Sequence, residues 1–212
     1  SDSEWESHLA LMIQKNVPHL ACYALTVEPK TPLAKLIRLN KSPDVDSDVQ
    51  ARQFLLLMKW MRDAGYEHYE ISNFAKAGMR SKHNSNYWNC GTYTGMGPSA
   101  HSYDGEIRKW NVSNNALYIQ SITSNKIPFE AEVLTLRQRL NEYIMTSLRT
   151  IEGLDLDKIH KDYSDAKCME LRKNSQKFID RKLMVADQHR LILNDEGKLF
   201  ADGIAADLFF DE

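Results

Sequence analysis

The sequence has few cysteines, no long apolar run and almost no net charge, and each shortage excludes a class of protein. Its 212 residues contain three cysteines, whose wide spacing argues against a disulfide scaffold and against a closed zinc site. Its longest apolar runs, such as residues 54–58, fall far below the roughly 18 residues that span a bilayer. A net charge of −2 provides no general attraction to nucleic acid. The composition predicts a soluble protein of the reducing cytoplasm.

The start of the chain predicts a helix. Ser3 and Glu6 match a capping box, and apolar residues recur at helical spacing over residues 4–15. The opening is acidic and has no secretory signal. Because it begins with serine in the middle of a pattern, we expect a piece excised from a longer protein.

The next segments predict strands that alternate with a helix. Residues 19–27 form a nearly all-apolar run, which is typical of a strand buried on both faces. A helix is predicted over residues 49–64 and a second strand over residues 66–74. This order is typical of parallel strands, whose binding loops follow their carboxyl ends.

The character of the chain changes near Ile127. A long helix, a short helix starting near Asp155, a helix over residues 164–182, a hairpin over 183–193 and a closing helix over 195–210 are predicted. The order indicates a winged-helix domain. A stripe on its first helix comprises Val133, Leu136, Leu140, Ile144 and Leu148. Acidic residues interleave with the basic ones of the third helix, so a solvated face is favoured over a nucleic-acid surface.

One stretch, residues 81–102, concentrates ligand-capable and aromatic side chains in what reads as a loop. His83 precedes Tyr87 and Trp88 by four and five residues, which places an imidazole beside flat aromatic groups. Heme iron takes an axial histidine within apolar and aromatic walls. The spacing alone also fits a hydrogen-bonded loop histidine, and no histidine or cysteine pair in the stretch has the spacing of a zinc site.

The glycines of the same stretch match the loose dinucleotide pattern G-x-G-x-x-A at Gly95–Ala100. That fingerprint needs a long helix starting at its second glycine, and the segment that follows, "HSYDGEI", breaks the pattern. A tight bend, or a close approach of the backbone to a ligand, is the favoured interpretation.

Several motifs together resemble a known family. The segments "HLACYALTVEPKTPL", "GYEHYEISNFAKAG", "SKHNSNYW", "YTGMGPSAHS" and "IRKWN" are similar to the oxygen-independent coproporphyrinogen oxidase-like (HemN family) radical S-adenosylmethionine proteins, and within them to the heme-chaperone group. The resemblance implies an α/β plus α fold. Residues 1–126 would form the last β/α units of a partial (β/α) radical-SAM barrel, and residues 127–212 a winged-helix-like C-terminal domain.

The resemblance also implies cofactors. The family carries a [4Fe–4S] cluster and S-adenosylmethionine, held by a three-cysteine loop and a glycine-rich segment that this sequence lacks. Three isolated cysteines cannot supply a cluster, so the chain alone is expected to do no radical chemistry.

The family's functional residues carry over onto particular positions. The motif H-N-x-x-Y-W at His83–Trp88 makes His83 the expected heme ligand, with Tyr87 and Trp88 as walls and Asn84 without an assigned role. Thr26 and His101 fall at positions that would contact S-adenosylmethionine. Glu70 and Asn73 are further motif residues without an assigned role, and both would face the same barrel mouth.

The expected function is that of a heme chaperone, with heme and apo-hemoproteins or respiratory enzymes as partners and no nucleic acid. The alternatives are the oxidase itself, which decarboxylates coproporphyrinogen III by a radical route, and a winged-helix nucleic-acid binder. The location would be cytoplasmic, at most on the inner face of the membrane through partners. Half a barrel leaves open strand edges, so a homodimer is expected at "CYALTV" or "YEISNF".

Overall fold

The computed structural model describes residues 1–211, which divide into two compact units, Ser1–Ser81 and a second unit from Lys82 onward. The predicted boundary between residues 126 and 127 separates two domains of the family, whereas these units are defined by contacts between residues. The predicted boundary therefore stays a prediction. Within residues 1–211, no helix is both long and apolar enough to cross a membrane.

The first unit begins with a capped helix. Ser1 accepts a hydrogen bond from the backbone of Glu4, and the Glu4 carboxylate pairs with the amino terminus at 2.8 Å. The capping box therefore uses Ser1 and Glu4, two residues earlier than the predicted pair. The elements of this unit are α1 (Asp2–Gln14), β1 (His19–Ala21), α2 (Pro32–Arg38), α3 (Ser47–Asp63), β2 (Glu67–Glu70) and β3 (Asn73–Ala75).

The sheet of the first unit has β3 at its centre, antiparallel to both β1 and β2. The run over residues 66–74, which was predicted as one strand, turns back on itself at Ile71 and Ser72, so β3 lies between the two predicted strands. β1 and β2 do run in the same direction, as in a split βαβ unit. β1 also ends at Ala21, so most of the predicted buried strand is irregular and exposed.

The core of the first unit lies between helix and sheet. Leu57 and Met61 project from the same face of α3 because they are four residues apart, and both are buried. They meet Phe74 of the central strand, which is fully buried. This packing holds the β2–β3 turn in a fixed position.

The second unit contains two three-stranded antiparallel sheets, ordered β4-β5-β6 and β7-β9-β8. The elements are α4 (Lys82–Trp88), β4 (His101–Tyr103), β5 (Ile107–Asn111), α5 (Asn115–Thr123), β6 (Phe129–Val133), α6 (Leu136–Leu148), β7 (Leu154–Asp155), α7 (Leu156–Asp162), α8 (Asp165–Asp180), β8 (Met184–Ala186), β9 (Arg190–Leu193), α9 (Asp195–Lys198) and α10 (Ala201–Asp207).

Most predicted elements of residues 127–211 are confirmed. Asp155 and Ser164 cap α7 and α8, and β8 with β9 forms the predicted hairpin. Two details were wrong: Val133 is an exposed residue of β6 and not of the long helix, and the closing helix is broken at Phe200 into α9 and α10. The assignment to the winged-helix class stays a prediction, as does the partial barrel.

Candidate functional site

The candidate heme ligand lies on a short helix and not in a loop. His83 is an exposed residue in the first turn of α4. Tyr87 follows one turn later on the same face, and the two ring centroids are 4.9 Å apart with perpendicular planes. No hydrogen bond to the His83 ring exists within residues 1–211. Its ring nitrogens are therefore available to an external ligand.

Two tyrosines that sequence reasoning did not single out extend this aromatic surface. The Tyr93 ring packs against Tyr87 with centroids 4.6 Å apart, and Tyr103 lies 6.2 Å beyond Tyr93. Tyr93 and Tyr103 exchange backbone hydrogen bonds of 2.9 Å in an isolated bridge. This contact joins residues ten apart in the chain, and no local pattern in the sequence signals it.

Trp88 contacts a different part of the molecule. Consecutive helical residues point about 100° apart, so Trp88 does not share the face of Tyr87. Its ring lies 5.2 Å from the guanidinium carbon of Arg149, and its Nε1 is buried without a hydrogen-bond partner in residues 1–211. Of the two predicted wall residues, only Tyr87 is in ring contact with His83. Asn84, the remaining motif residue, is half-buried on the same helix.

The backbone of the glycine-rich segment at residues 95–97 lies close to the backbone of the strand that follows it, β4. A Cβ on Gly95 would lie 2.2 Å from the carbonyl oxygen of His101, and Gly97 has a φ of 105°. The side-chain amide of Asn111 donates to the Gly97 carbonyl at 2.9 Å. The close approach that the glycines permit is to the chain's own backbone, and no long helix begins at Gly97 as a dinucleotide fingerprint requires.

His101, one of the predicted cosubstrate contacts, is exposed at the start of β4. It lies opposite Trp110 of β5, with ring centroids 6.3 Å apart. Both line a cavity of about 350 Å³, in which Trp110 Nε1 donates to Glu130 at 3.2 Å. A flat, partly polar group would find stacking and hydrogen-bonding partners in this cavity.

The other predicted site residues lie in the first unit. Thr26 is exposed in the irregular segment after β1. Glu70 and Asn73 flank the β2–β3 turn and are both about 1% exposed. The Glu70 carboxylate accepts hydrogen bonds from the Asn73 amide at 2.5 Å and from the backbone of Ser72 at 3.0 Å. This pair stabilises the turn from within.

Next to this turn, Arg80 forms a two-pronged ion pair with Glu67. Its Nε and Nη2 donate to the two carboxylate oxygens, each at 2.7 Å, and these hydrogen bonds lower the pKa of Glu67. A carboxyl group with a lowered folded-state pKa adds stability above its unfolded pKa. That stability disappears as the pH falls through the folded value.

We therefore expect Glu67→Gln to flatten the acid limb of the stability curve. The loss at pH 7 should stay below about 1 kcal/mol, because the pair is about one-third exposed and partly screened. Urea unfolding at pH 7 and at pH 3 measures both values. Glu6→Gln, which alters an exposed glutamate of α1, is the matched control. Parallel pH curves for Glu67→Gln and the unaltered chain would contradict this expectation.

Cys22 lines a mostly apolar cavity of about 240 Å³ together with Trp5, Tyr23 and Phe54. Burial raises its pKa to about 11. Since the thiolate is the reactive form, the alkylation rate of Cys22 should rise about tenfold per pH unit between pH 8 and 10. Iodoacetamide labelling followed by mass spectrometry measures this rate. A plateau below pH 9 would show that the thiol is not desolvated.

Within residues 1–211, no group of three or more histidine, cysteine, aspartate and glutamate side chains is placed to hold a metal ion. Cys22 belongs to the first unit, whereas Cys90 and Cys168 belong to the second. Within the described residues, the three thiols are not gathered into the three-thiolate ligand set of an iron–sulfur cluster.

The comparisons with known proteins relate the chain to heme chaperones. Residues 134–200 match the family model of the HemN C-terminal domain. The chain is 29% identical over 209 residues to the heme chaperone HemW of Mycobacterium tuberculosis, covering 98% of this chain and 52% of the relative. It is 28% identical to HemW of Bacillus subtilis over 94% of this chain and 53% of the relative. The chain spans about half the length of these relatives.

A solved structure has a similar fold. The coproporphyrinogen III oxidase HemN of Escherichia coli, described as a radical SAM enzyme, superimposes with a TM-score of 0.76 over 99% of this chain and 52% of HemN. At 16% identity this likeness concerns the fold. Together, these comparisons show that the chain carries a HemN C-terminal domain at residues 134–200, is similar to HemW in sequence and has a fold similar to that of HemN.

Proposed function

We propose that this chain is the heme-binding part of a HemW-type heme chaperone, which passes its cargo to apo-hemoproteins or respiratory enzymes. The observation that carries the proposal is the exposed His83 imidazole, without a hydrogen-bond partner in residues 1–211, next to the ring of Tyr87. This arrangement occurs in a chain that is similar to HemW over 98% of its own residues, which correspond to about half of HemW.

The chemistry follows from these two side chains. A neutral imidazole offers a nitrogen lone pair to heme iron, and an aromatic face gives the macrocycle an apolar surface. The Tyr87 ring is itself supported by Tyr93 at 4.6 Å. Tyr87 is 38% exposed, so the surface covers the cargo on one side only. Binding on one side is weaker than enclosure in a deep pocket, which favours transfer to an acceptor that encloses heme.

The longer protein is proposed to hold a [4Fe–4S] cluster and S-adenosylmethionine through residues outside this chain. Thr26 and His101 are the proposed contacts to the cosubstrate. Glu70 and Asn73 are proposed to position the β2–β3 turn, because both are buried and hydrogen-bonded to each other. The oxidase activity gains no support beyond the family resemblance, since the likeness to HemN at 16% identity concerns the fold alone.

The test of the proposed function is heme transfer. The chain loaded with one equivalent of ferric heme is mixed with apomyoglobin, and the Soret band of holomyoglobin is followed over time. We expect transfer in the absence of denaturant, at a rate that depends on apomyoglobin concentration. A rate equal to that of heme released from serum albumin under the same conditions, or no heme binding at all, would contradict the proposal.

A further inference from the structure

A second cavity of the second unit borders the aromatic surface beside His83, since both include Tyr103, and polar and charged side chains line it. Its volume is about 380 Å³, within the range of small-molecule sites. The lining includes Cys90, Tyr103, Arg139, Tyr143, Lys158 and Tyr163. These residues come from four parts of the unit, because α6, α7, β4 and the end of α4 converge there.

Arg139 retains unused hydrogen-bonding capacity. Its Nη1 lies 3.6 Å from a carboxylate oxygen of Glu106, too far for a good hydrogen bond. Its Nε is buried and has no partner within residues 1–211. A buried donor on a charged group is costly when it is unpaired. The Arg139 side chain lines the cavity and is 28% exposed, so the rest of its guanidinium group can reach a ligand there.

The tyrosines add donors and apolar surface. Both phenols are protonated at neutral pH, as tyrosines ordinarily are, and burial raises the pKa of Tyr143 and Tyr163 further. The Tyr163 hydroxyl has no hydrogen-bond partner in the described part of the chain. The Tyr103 hydroxyl, in contrast, already donates to the Gly105 carbonyl at 2.8 Å. Arg139 and Tyr163 thus supply the two available donors.

The acidic groups of the wall are already neutralised. Glu142 accepts a hydrogen bond from Arg108 at 2.5 Å, and Asp162 accepts one from Lys158 at 2.5 Å. The ion pair of Arg139 is the loosest of these, at 3.6 Å to a Glu106 side chain that is 73% exposed, so the guanidinium can exchange this partner for a ligand. An anion with two acceptor oxygens complements such a wall, and the tyrosine rings favour an apolar body on that anion.

We propose that this cavity binds a compact carboxylate carried on an apolar body, received by the Arg139 guanidinium group and the Tyr163 hydroxyl. The site does not include His83, and its two proposed ligand contacts, Arg139 and Tyr163, are not part of the proposed heme surface.

Cys90 provides a readout within the cavity. It is half-buried, whereas Cys168 is 8% exposed and Cys22 has a pKa of about 11. Alkylation near pH 8 should therefore mark Cys90 first. A bound carboxylate should shield this thiol from the reagent.

The experiment measures iodoacetamide labelling of Cys90 in the full chain with increasing 3-phenylpropionate, and with 3-phenylpropanamide as the uncharged isostere. We expect saturable protection by the carboxylate and none by the amide. Arg139→Gln should weaken the apparent affinity about tenfold or more, since it removes a charge-assisted contact. Tyr163→Phe should weaken it several-fold, and Arg137→Gln on the same helix should leave it unchanged.

Equal protection by the amide, no saturable protection, or an unchanged affinity in folded Arg139→Gln would overturn the proposal. Circular dichroism verifies folding of each variant. If Arg139→Gln does not fold, Arg139→Lys and Tyr163→Phe decide, and full affinity in both would count against the site. Heme binding by His83 is measured separately, so failure of one proposal does not imply failure of the other.

Discussion

Replacing Gly95 with alanine is expected to lower the free energy of unfolding by about 3 kcal/mol, the upper end of the usual cost of overpacking. The added Cβ would lie 2.2 Å from the His101 carbonyl oxygen and 2.8 Å from the His101 backbone nitrogen. Both are backbone atoms of β4, so neither can move without disturbing the strand. The neighbouring bridge between Tyr93 and Tyr103 would open with it. Urea unfolding at 25 °C measures the loss.

Gly203→Ala is the matched control for this substitution. Gly203 lies within α10, and a Cβ there meets nothing within 4 Å. Alanine should be neutral or stabilising by up to about 1 kcal/mol, because glycine is a poor helix former. A loss at Gly95 no larger than that at Gly203 would show that the loop can move away from β4.

Replacing His83 with alanine is expected to weaken heme binding on the order of a hundredfold, which corresponds to about 2.8 kcal/mol. The variant loses the only proposed bond to iron, while Tyr87 and Tyr93 keep their stacked contact of 4.6 Å. The remaining affinity should reflect apolar contact alone. Titration of the chain with ferric heme, followed in the Soret band, gives both dissociation constants. The substitution should not unfold the protein, because the His83 side chain is exposed.

His160→Ala is the control for general effects of removing a histidine. His160 is exposed on α7 in the same unit, where its ring pairs with Asp165 at 3.4 Å. We expect an unchanged dissociation constant for heme in this variant. If both variants bind heme equally well, the iron is bound by another group and the assignment of His83 is wrong.

The sequence predicted elements well where a local signal marks the boundary. Asp155 and Ser164 stand immediately before α7 and α8, and each accepts a hydrogen bond from a backbone N–H of the first turn. The caps and the periodic apolar residues that follow need no information from the rest of the chain. These two helices could therefore be predicted from residues that are close together in the sequence.

The turn between β2 and β3 could not be predicted in this way. Residues 66–74 contain neither glycine nor proline, so the run reads as one strand. The turn forms because the Glu70 carboxylate binds the Asn73 amide and the Ser72 backbone. A hydrogen-bonded pair of this kind becomes visible only in three dimensions.

The candidate site was predicted in part. The motif identified His83 and Tyr87, and the structure brings their rings together at 4.9 Å. The motif could not show that Trp88 turns toward Arg149, because that contact joins α4 to a residue 61 positions later. It also could not show Tyr93 behind Tyr87, since this packing depends on the path of the loop between α4 and β4.

The most direct measurement of the central claim is chemical rescue at the iron. In His83→Gly, the absorption and low-temperature electron paramagnetic resonance spectra of bound ferric heme are recorded before and after addition of imidazole. If His83 ligates the iron, the variant lacks the signature of an axial nitrogen, and free imidazole restores both the spectrum and the affinity of the unaltered chain. Identical spectra in the variant and the unaltered chain before imidazole is added would contradict the claim.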